Sequence, residues 1–318
     1  MTFAVVFPGQ GSQSVGMLAA LAEQYDEVAL TFAEASDCLG KDLWQLAQQG
    51  PAEVLGDTRV TQPLMFTADI AVWRVLKAQG LGSPAAVAGH SLGEFAALVA
   101  SNALSFEDAI KLVDERAMLM AAAVPDGEGG MAALLGMDDQ AVVELCASIT
   151  GERISEAVNF NSPGQVAISG HLDAIEKTLA AAKEKGCRKA MMLAVSVPNH
   201  SSLMKPAGIV LSEKIDRLNF SAPDMPLVQN ATARAAEDLP ALLGHLKSHV
   251  YNPVYWTRSI ETLRDVHGVS LIIESGPGKV LTGLSKRIDR ALPTLPVESP
   301  ETLATALEAA STHMEIHA

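Results

Sequence analysis

The stretch Ala86-Val-Ala-Gly89-His-Ser91-Leu-Gly93-Glu-Phe95 carries the pattern on which the fold of this chain depends. An apolar run over 85–88 predicts a strand, and a helical repeat of apolar residues begins at Leu92. Glycines lie two residues to either side of Ser91, as a sharp strand-to-helix turn requires. Such a turn exposes the hydroxyl at a helix N-terminus, whose free N–H groups stabilise an oxyanion. Ser91 is therefore a candidate nucleophile, although the same five-residue pattern also occurs by chance.

Composition narrows the class of protein. The 318 residues suffice for two domains, or for one large domain with an insertion. Hydrophobic residues make up 48% and charged residues 19%, which is typical of a globular protein. The formal net charge of −14 disfavours nucleic acid or an anionic membrane as the main partner. With no membrane-spanning run, no targeting pattern and three scattered cysteines, we expect a cytoplasmic protein.

Strands and helices alternate along the chain, which predicts an α/β core. The first predicted strand, Thr2–Phe7, runs into Gly9–Gln13, which is either a ligand-binding loop at a strand's carboxyl end or a structural turn. That loop matches no nucleotide-binding fingerprint. The patterns also predict helices over 18–46, 64–79, 106–124, 239–250 and 299–310, and buried strands over 227–230 and 270–274.

After the loop 125–130, a segment with a different order of predicted strands and helices interrupts this alternation. Its predicted order is strand, helix, strand, strand, helix, strand, and the last strand covers 189–197. This is the order of a ferredoxin-like subdomain. We therefore predict an inserted small subdomain at 127–197 and a large lobe formed by 1–126 and 198–318.

Two further residues are candidates for chemistry. Arg116 lies at the edge of the apolar stripe of the predicted helix 106–124, where a guanidinium needs an anion. That anion is either an internal carboxylate or the carboxylate of a ligand held bidentately. His200 follows the insertion, at the expected mouth of an interlobe cleft, and is either a general base or a structural histidine. His90 is expected to point away from its neighbour Ser91.

Seven motifs follow one another along the chain: Phe7-Pro-Gly-Gln-Gly-Ser-Gln13, Val60-Thr-Gln-Pro63, Ala88-Gly-His-Ser-Leu-Gly-Glu94, Asn159-Phe-Asn-Ser-Pro-Gly-Gln165, Ser196-Val-Pro-Asn-His200, Tyr251-Asn-Pro-Val254 and Gly276-Pro-Gly-Lys-Val-Leu-Thr-Gly283. Together they resemble, nearly end to end, the malonyl-CoA:acyl carrier protein transacylases of the dissociated fatty-acid synthase system. The acyltransferase domains of polyketide synthases are similar more distantly. The resemblance implies an α/β-hydrolase-like large lobe with a ferredoxin-like insertion.

The resemblance also implies roles for individual residues. Ser91 matches the family's nucleophile and His200 its general base. Arg116 matches the arginine that grips the malonyl carboxylate. The backbone N–H groups of Gln10 and Leu92 match the oxyanion hole, with the Gln10 side chain near the acyl group.

Other positions follow from the same resemblance. Asn161 matches a substrate-binding position, and the backbone carbonyl of His249 matches the group that orients the catalytic histidine. Many members carry glutamine at the latter position. Many also have serine where this chain has Asn199, which leaves the strictness of malonyl preference open. Independently of the resemblance, the positive charges of Lys286, Arg287 and Arg290 are expected to receive an acidic carrier protein, unless this cluster is merely a solvated face.

The implied activity is transfer of a malonyl group from malonyl-CoA to the phosphopantetheine thiol of acyl carrier protein. The transfer passes through a malonyl-serine and requires no metal or redox cofactor. Two alternatives remain: an α/β-hydrolase-type thioesterase or esterase with the same serine turn, and a non-enzymatic acyl-binding subunit. Against the hydrolase, the sequence contains no His-Gly-Gly-Gly oxyanion motif and no evident carboxylate partner for His200.

Overall fold

The computed structural model describes residues 2–195 and 197–315, which form a mixed α/β protein with two sheets. Met1, Ser196 of the fifth motif and residues 316–318 lie outside the described residues, as do the corresponding ends of the predicted lobe and subdomain. Within the described ranges the strands are β1 (Thr2–Phe7), β2 (Ala86–Gly89), β3 (Gly129–Leu135), β4 (Ser155–Ser162), β5 (Gln165–His171), β6 (Lys189–Met192), β7 (Leu227–Gln229), β8 (Arg234–Ala235), β9 (Val269–Ser275) and β10 (Thr294–Val297).

The helices of the same ranges are α1 (Ala19–Ala22), α2 (Asp26–Leu39), α3 (Leu43–Gln49), α4 (Ala52–Leu55), α5 (Thr58–Ala78), α6 (Gly93–Ala100), α7 (Phe106–Ala122), α8 (Asp139–Ile149), α9 (Leu172–Glu184), α10 (Lys205–Ile215), α11 (Leu239–Ser248), α12 (Trp256–Asp265), α13 (Val280–Ile288) and α14 (Pro300–Glu315). None of them is both long and apolar enough to cross a membrane.

The larger sheet has the order β10-β9-β1-β2-β7-β8, and all neighbouring pairs are parallel except β7 and β8. Strand β1 is apolar and buried from Phe3 to Phe7 because both of its faces are covered. Phe3, Val5 and Phe7 pack into one core cluster, whereas Ala4 and Val6 pack into another. The carboxyl ends of β1 and β2 are adjacent, so the loop after β1 lies beside the turn after β2.

The smaller sheet is antiparallel, with the order β4-β5-β3-β6. Its chain order, β3-α8-β4-β5-α9-β6, is the order predicted for the inserted segment. Helices α8 and α9 cover one face through an apolar cluster that includes Val142 and Ile175. Strand β4 is also tied to the rest of the molecule, because the Phe160 N–H donates to the Val254 carbonyl at 2.9 Å.

Several predicted boundaries were wrong for local reasons. The predicted helix 18–46 is three helices, because Gly40 ends α2 with a φ of 64° and Asp42 caps α3 through the Gln45 N–H. Helix α5 begins at Thr58 rather than at residue 64, and Pro63 lies inside it. A proline so near the N-terminus removes only one helical bond, and most of this helix is buried.

Two predicted strands of the small sheet also changed. The strand predicted over 154–158 continues to Ser162, which reduces the predicted loop 159–164 to a turn at Pro163 and Gly164. The strand predicted over 189–197 ends at Met192, where its pairing with β3 stops. Three helices, α4, α10 and α12, were not predicted.

Candidate active site

Ser91 occupies the turn between β2 and α6 with a φ of 50°, which is strained for a residue with a side chain. The turn is tight because two glycines allow backbones to meet. A Cβ on Gly89 would lie 1.9 Å from the backbone carbon of Gly93, and a Cβ on Gly93 would lie 2.1 Å from the Phe7 carbonyl oxygen. The Ser91 N–H donates to Asn230 Oδ1 at 2.7 Å, which holds the strained residue in place.

His200 is buried beside the serine, with its Nε2 2.7 Å from Ser91 Oγ. Its Nδ1 lies 3.0 Å from the Asn252 carbonyl oxygen and 3.2 Å from the His249 carbonyl oxygen. Because a carbonyl can only accept, Nδ1 carries the proton and Nε2 is left to accept the serine proton. Burial, assisted by the positive charge of Arg116, lowers the pKa of His200 to about 3. The imidazole is therefore neutral at physiological pH.

Arg116 is 2% exposed and also contacts the Ser91 hydroxyl, with its Nη2 3.4 Å from Ser91 Oγ. Its Nη1 donates to Gln62 Oε1, and its Nε has no hydrogen-bond partner among the described residues. Burial lowers the pKa of Arg116 to about 9, against the opposing charge of Glu94, so the guanidinium remains charged at neutral pH. No described carboxylate forms an ion pair with it, so a buried cation retains free donors beside the Ser91 hydroxyl.

Asn230 and Glu94 form hydrogen bonds that hold the serine turn. The Asn230 backbone N–H donates to Glu94 Oε2 at 2.7 Å, and its side-chain amide donates to the Gly89 carbonyl at 2.6 Å. Burial raises the pKa of Glu94 to about 7, despite these hydrogen bonds. Asn230 was not predicted as a site residue. The signal that the sequence offered was the position of this polar residue at the carboxyl end of a predicted strand.

The two backbone amides predicted for an oxyanion hole lie where the loop after β1 meets the turn after β2. Neither the Gln10 nor the Leu92 N–H donates to another described residue. Both residues line the same cavity as Ser91. A Cβ on Gly9 would lie 2.6 Å from the His90 carbonyl oxygen and 3.8 Å from the Leu92 nitrogen, so only glycine permits this approach.

The catalytic cavity has a volume of about 180 Å³ and receives residues from both sheets. Asn161 lines it and lies 2.8 Å, through Oδ1, from His90 Nε2. His90 packs its ring against Trp256 and does not bond to Ser91, as predicted. Asn199 also lines the cavity, and its buried Oδ1 has no partner among the described residues. Within those residues no cluster of His, Cys, Asp or Glu could hold a metal ion.

The basic residues predicted for carrier-protein docking lie outside the cavity. All three, Lys286, Arg287 and Arg290, are exposed at or just beyond the end of α13. Arg287 donates to Gln165 Oε1, and Gln165 lines the cavity. The apolar face of α13 forms part of the cavity wall, through Leu281 and Leu284. The basic cluster is therefore close to the cleft without being part of it.

The arrangement combines four chemical capacities in one cleft. It offers a hydroxyl nucleophile, a neutral imidazole, two unpaired backbone donors and a buried cation with free N–H groups. The first three suit acyl transfer through a covalent serine ester. The fourth suits an acyl group that ends in a carboxylate.

Comparisons with known proteins agree with this chemistry. A family model described as acyl transferase domain matches residues 4–281. The chain is 49% identical over 305 residues to the malonyl CoA-acyl carrier protein transacylase of Salmonella typhimurium, covering 96% of this chain and 98% of that protein.

Two solved structures are also similar. The malonyl CoA-acyl carrier protein transacylase from Coxiella burnetii has a TM-score of 0.95 at 40% identity, with 97% of each chain covered. A type II PKS acyl-carrier protein in complex with its malonyl-transacylase also gives a TM-score of 0.95. The identity is 45%, and 97% of this chain and 100% of that chain are covered.

Proposed function

The chain belongs to the acyl transferase domain family, and from this membership we propose that it is an [acyl-carrier-protein] S-malonyltransferase of fatty-acid synthesis. It transfers the malonyl group of malonyl-CoA to the phosphopantetheine thiol of acyl carrier protein. The observation that carries the proposal is the double contact of Ser91 Oγ, 2.7 Å from His200 Nε2 and 3.4 Å from Arg116 Nη2. One hydroxyl thus adjoins both a base and a cation suited to a terminal carboxylate.

In the first half-reaction, His200 Nε2 takes the proton as Ser91 Oγ attacks the thioester carbonyl of malonyl-CoA. The new C–O bond forms while the carbonyl electrons move to an oxyanion, which the N–H groups of Gln10 and Leu92 stabilise. Collapse of this intermediate breaks the C–S bond. The CoA thiolate leaves with the proton held by His200, and malonyl-Ser91 remains with its carboxylate on Arg116.

In the second half-reaction, the carrier-protein thiol gives its proton to His200 and attacks the serine ester. Collapse of the second intermediate breaks the bond to Ser91 Oγ, which recovers the proton. Asn161 lines the path of the acyl thioester, and the His249 carbonyl fixes the imidazole. Every bond change is a proton transfer or an acyl exchange, so these steps consume neither a metal nor a redox cofactor.

We further propose that the parallel sheet with its serine turn is an α/β-hydrolase-like lobe (1–126 and 198–318). The β3-α8-β4-β5-α9-β6 unit is then a ferredoxin-like subdomain (127–197) inserted in it. The antiparallel order β4-β5-β3-β6 supports this assignment. We place the protein in the cytoplasm, where its three free cysteines suit a reducing compartment.

The proposed docking site for the acidic carrier protein is the exposed cluster Lys286, Arg287 and Arg290. Its position beside the cavity wall would place an arriving thiol near Ser91. Reversal of the Lys286 and Arg290 charges should raise the apparent KM for carrier protein and leave that for malonyl-CoA unchanged. Equal changes in both KM values would contradict this docking site.

Intact-mass spectrometry tests the reaction itself. Incubation with malonyl-CoA should add one malonyl group to the wild-type chain and none to Ser91→Ala, and added holo carrier protein should remove it. An unmodified wild-type chain would contradict the proposal and favour a non-enzymatic acyl-binding subunit. A thioesterase would instead hydrolyse malonyl-CoA without carrier protein faster than it transfers the group in its presence.

A further inference from the structure

The segment Asn252–Tyr255 joins the small sheet to the rest of the molecule through main-chain hydrogen bonds. The Val254 N–H donates to the Val158 carbonyl at 2.7 Å, and the Phe160 N–H donates to the Val254 carbonyl at 2.9 Å. Thr257 Oγ1 adds a bond of 3.2 Å to the Phe160 carbonyl. Strand β4 is thus attached to this segment as to a short parallel partner.

The same segment also holds both members of the catalytic pair. The Asn252 carbonyl accepts the Nδ1 proton of His200 at 3.0 Å. The Tyr255 N–H donates to the Asn230 carbonyl at 3.0 Å, and the Asn230 side chain fixes the Ser91 N–H at 2.7 Å. A displacement of the segment would therefore move the partners of the imidazole and of the serine together.

An aromatic stack reinforces the segment where β4 meets it. The rings of Phe160 and Tyr255 lie 5.1 Å apart between centroids and are inclined by 15°. The guanidinium of Arg258 lies 4.9 Å from the Tyr255 centroid. Both rings are half-buried and line a second cleft, of about 600 Å³, between α8 and α12. No step of the proposed reaction uses this stack, which lies outside the catalytic cavity.

We infer that Tyr255 is a positioning residue whose stack on Phe160 holds the Asn252 carbonyl against His200. The stack keeps β4 on the segment, the segment keeps the carbonyl on Nδ1, and the carbonyl keeps Nε2 directed at Ser91 Oγ. A misplacement of a catalytic group by about 1 Å can lower a rate about 10²-fold. The inference rests on the proposed function, because malonyl transfer is its readout.

Two substitutions of Tyr255 separate the effect of the aromatic ring from that of the hydroxyl group. Tyr255→Phe retains the stack, and we expect kcat within about twofold of wild type. Tyr255→Leu retains an apolar side chain but loses the stack, and we expect kcat for malonyl transfer to fall about fivefold or more. The KM for malonyl-CoA should rise by less than kcat falls, because Tyr255 itself contacts no substrate. Phe160→Leu gives the same test from the other ring, and the double variant should lose no more than either single variant.

Trp44→Leu is the matched control for lost stability. Trp44 packs edge-on against Phe32 at 5.0 Å, so the change also removes an aromatic pair, but one outside the catalytic cavity. We expect it to lower Tm and leave kcat unchanged. Equal kcat losses in Trp44→Leu and Tyr255→Leu, a wild-type kcat in Tyr255→Leu, or a rise in KM alone would overturn the inference. A wild-type chain that forms no malonyl-Ser91 would instead overturn the proposed function.

Discussion

Removal of the Arg116 guanidinium should abolish malonyl transfer and should leave the transfer of uncharged short acyl groups unchanged or increased. Arg116→Ala deletes the buried cation that lies 3.4 Å from Ser91 Oγ, and Arg116→Met deletes the charge while filling most of the volume. The malonyl carboxylate would then enter the cavity without its partner. Acetyl-CoA has no such carboxylate, and its transfer no longer leaves a buried guanidinium unpaired.

The expected magnitude follows from the burial of Arg116. At 2% exposure its charge is little screened by solvent, and removal of one partner from a buried pair costs about 3–5 kcal/mol. The cavity admits some water to the abandoned carboxylate, so we take the lower half of that range. Since about 1.4 kcal/mol corresponds to a factor of ten, kcat/KM for malonyl-CoA should fall about 10²- to 10³-fold.

The assay compares initial rates of transfer from malonyl-CoA and acetyl-CoA to holo carrier protein. Both variants should lose malonyl transfer and keep or gain acetyl transfer. Arg217→Ala is the control, since it removes an arginine that is 74% exposed on the surface, and both rates should stay near wild type. Unchanged malonyl preference in Arg116→Ala and Arg116→Met would refute the reasoning.

Three further changes test the buried groups and the tight turn. The lowered pKa of His200 keeps it neutral in the native state while the unfolded chain takes up a proton, so stability should fall as pH drops below about 6.5. His200→Gln should flatten that fall between pH 6.5 and 4 in denaturant titrations, and an identical pH profile would contradict this. Asp69 is fully buried with both carboxylate oxygens unpartnered among the described residues, and burial, with the nearby charge of Glu274, raises its pKa. The pKa of native Asp69 thus lies above that of the unfolded chain, so Asp69→Asn should stabilise the protein more as the pH rises above about 4; a pH-independent change would exclude this explanation. Gly89→Ala should cost at least about 3 kcal/mol because its methyl group would collide with the backbone of α6, whereas Gly244→Ala, with open space around it in α11, should gain up to about 1 kcal/mol. Similar unfolding midpoints for the two alanine variants would contradict the collision.

Elements whose signal is local could be predicted from the sequence. Helix α7 was predicted over 106–124 and ends at Ala122, because its apolar stripe is regular and Ser105 caps it. The serine turn was predicted correctly because its two glycines and the flanking apolar runs are contiguous. The order of strands and helices in the inserted segment also followed from periodicity alone.

Features that depend on distant neighbours could not be predicted in the same way. The role of Asn230 arises because β7 pairs with β2, which brings the residue beneath Ser91. Helix α10 carries a proline and a glycine, which weaken its helical pattern, yet Pro206 lies in its first turn, where a missing N–H costs nothing. Helix α12, in contrast, has a local signal, since Trp256, Ile260 and Leu263 show the helical spacing.

His200 is held by two neutral carbonyl oxygens, with no carboxylate hydrogen-bonded to its ring among the described residues. A base of such low proton affinity draws a proton far more readily from a thiol, with a pKa of about 8.5, than from water, at about 15.7. Hydrolysis of the serine ester requires proton removal from water, whereas carrier-protein loading requires proton removal from a thiol. In the proposed reaction we therefore expect the serine ester to react faster with a thiol than with water.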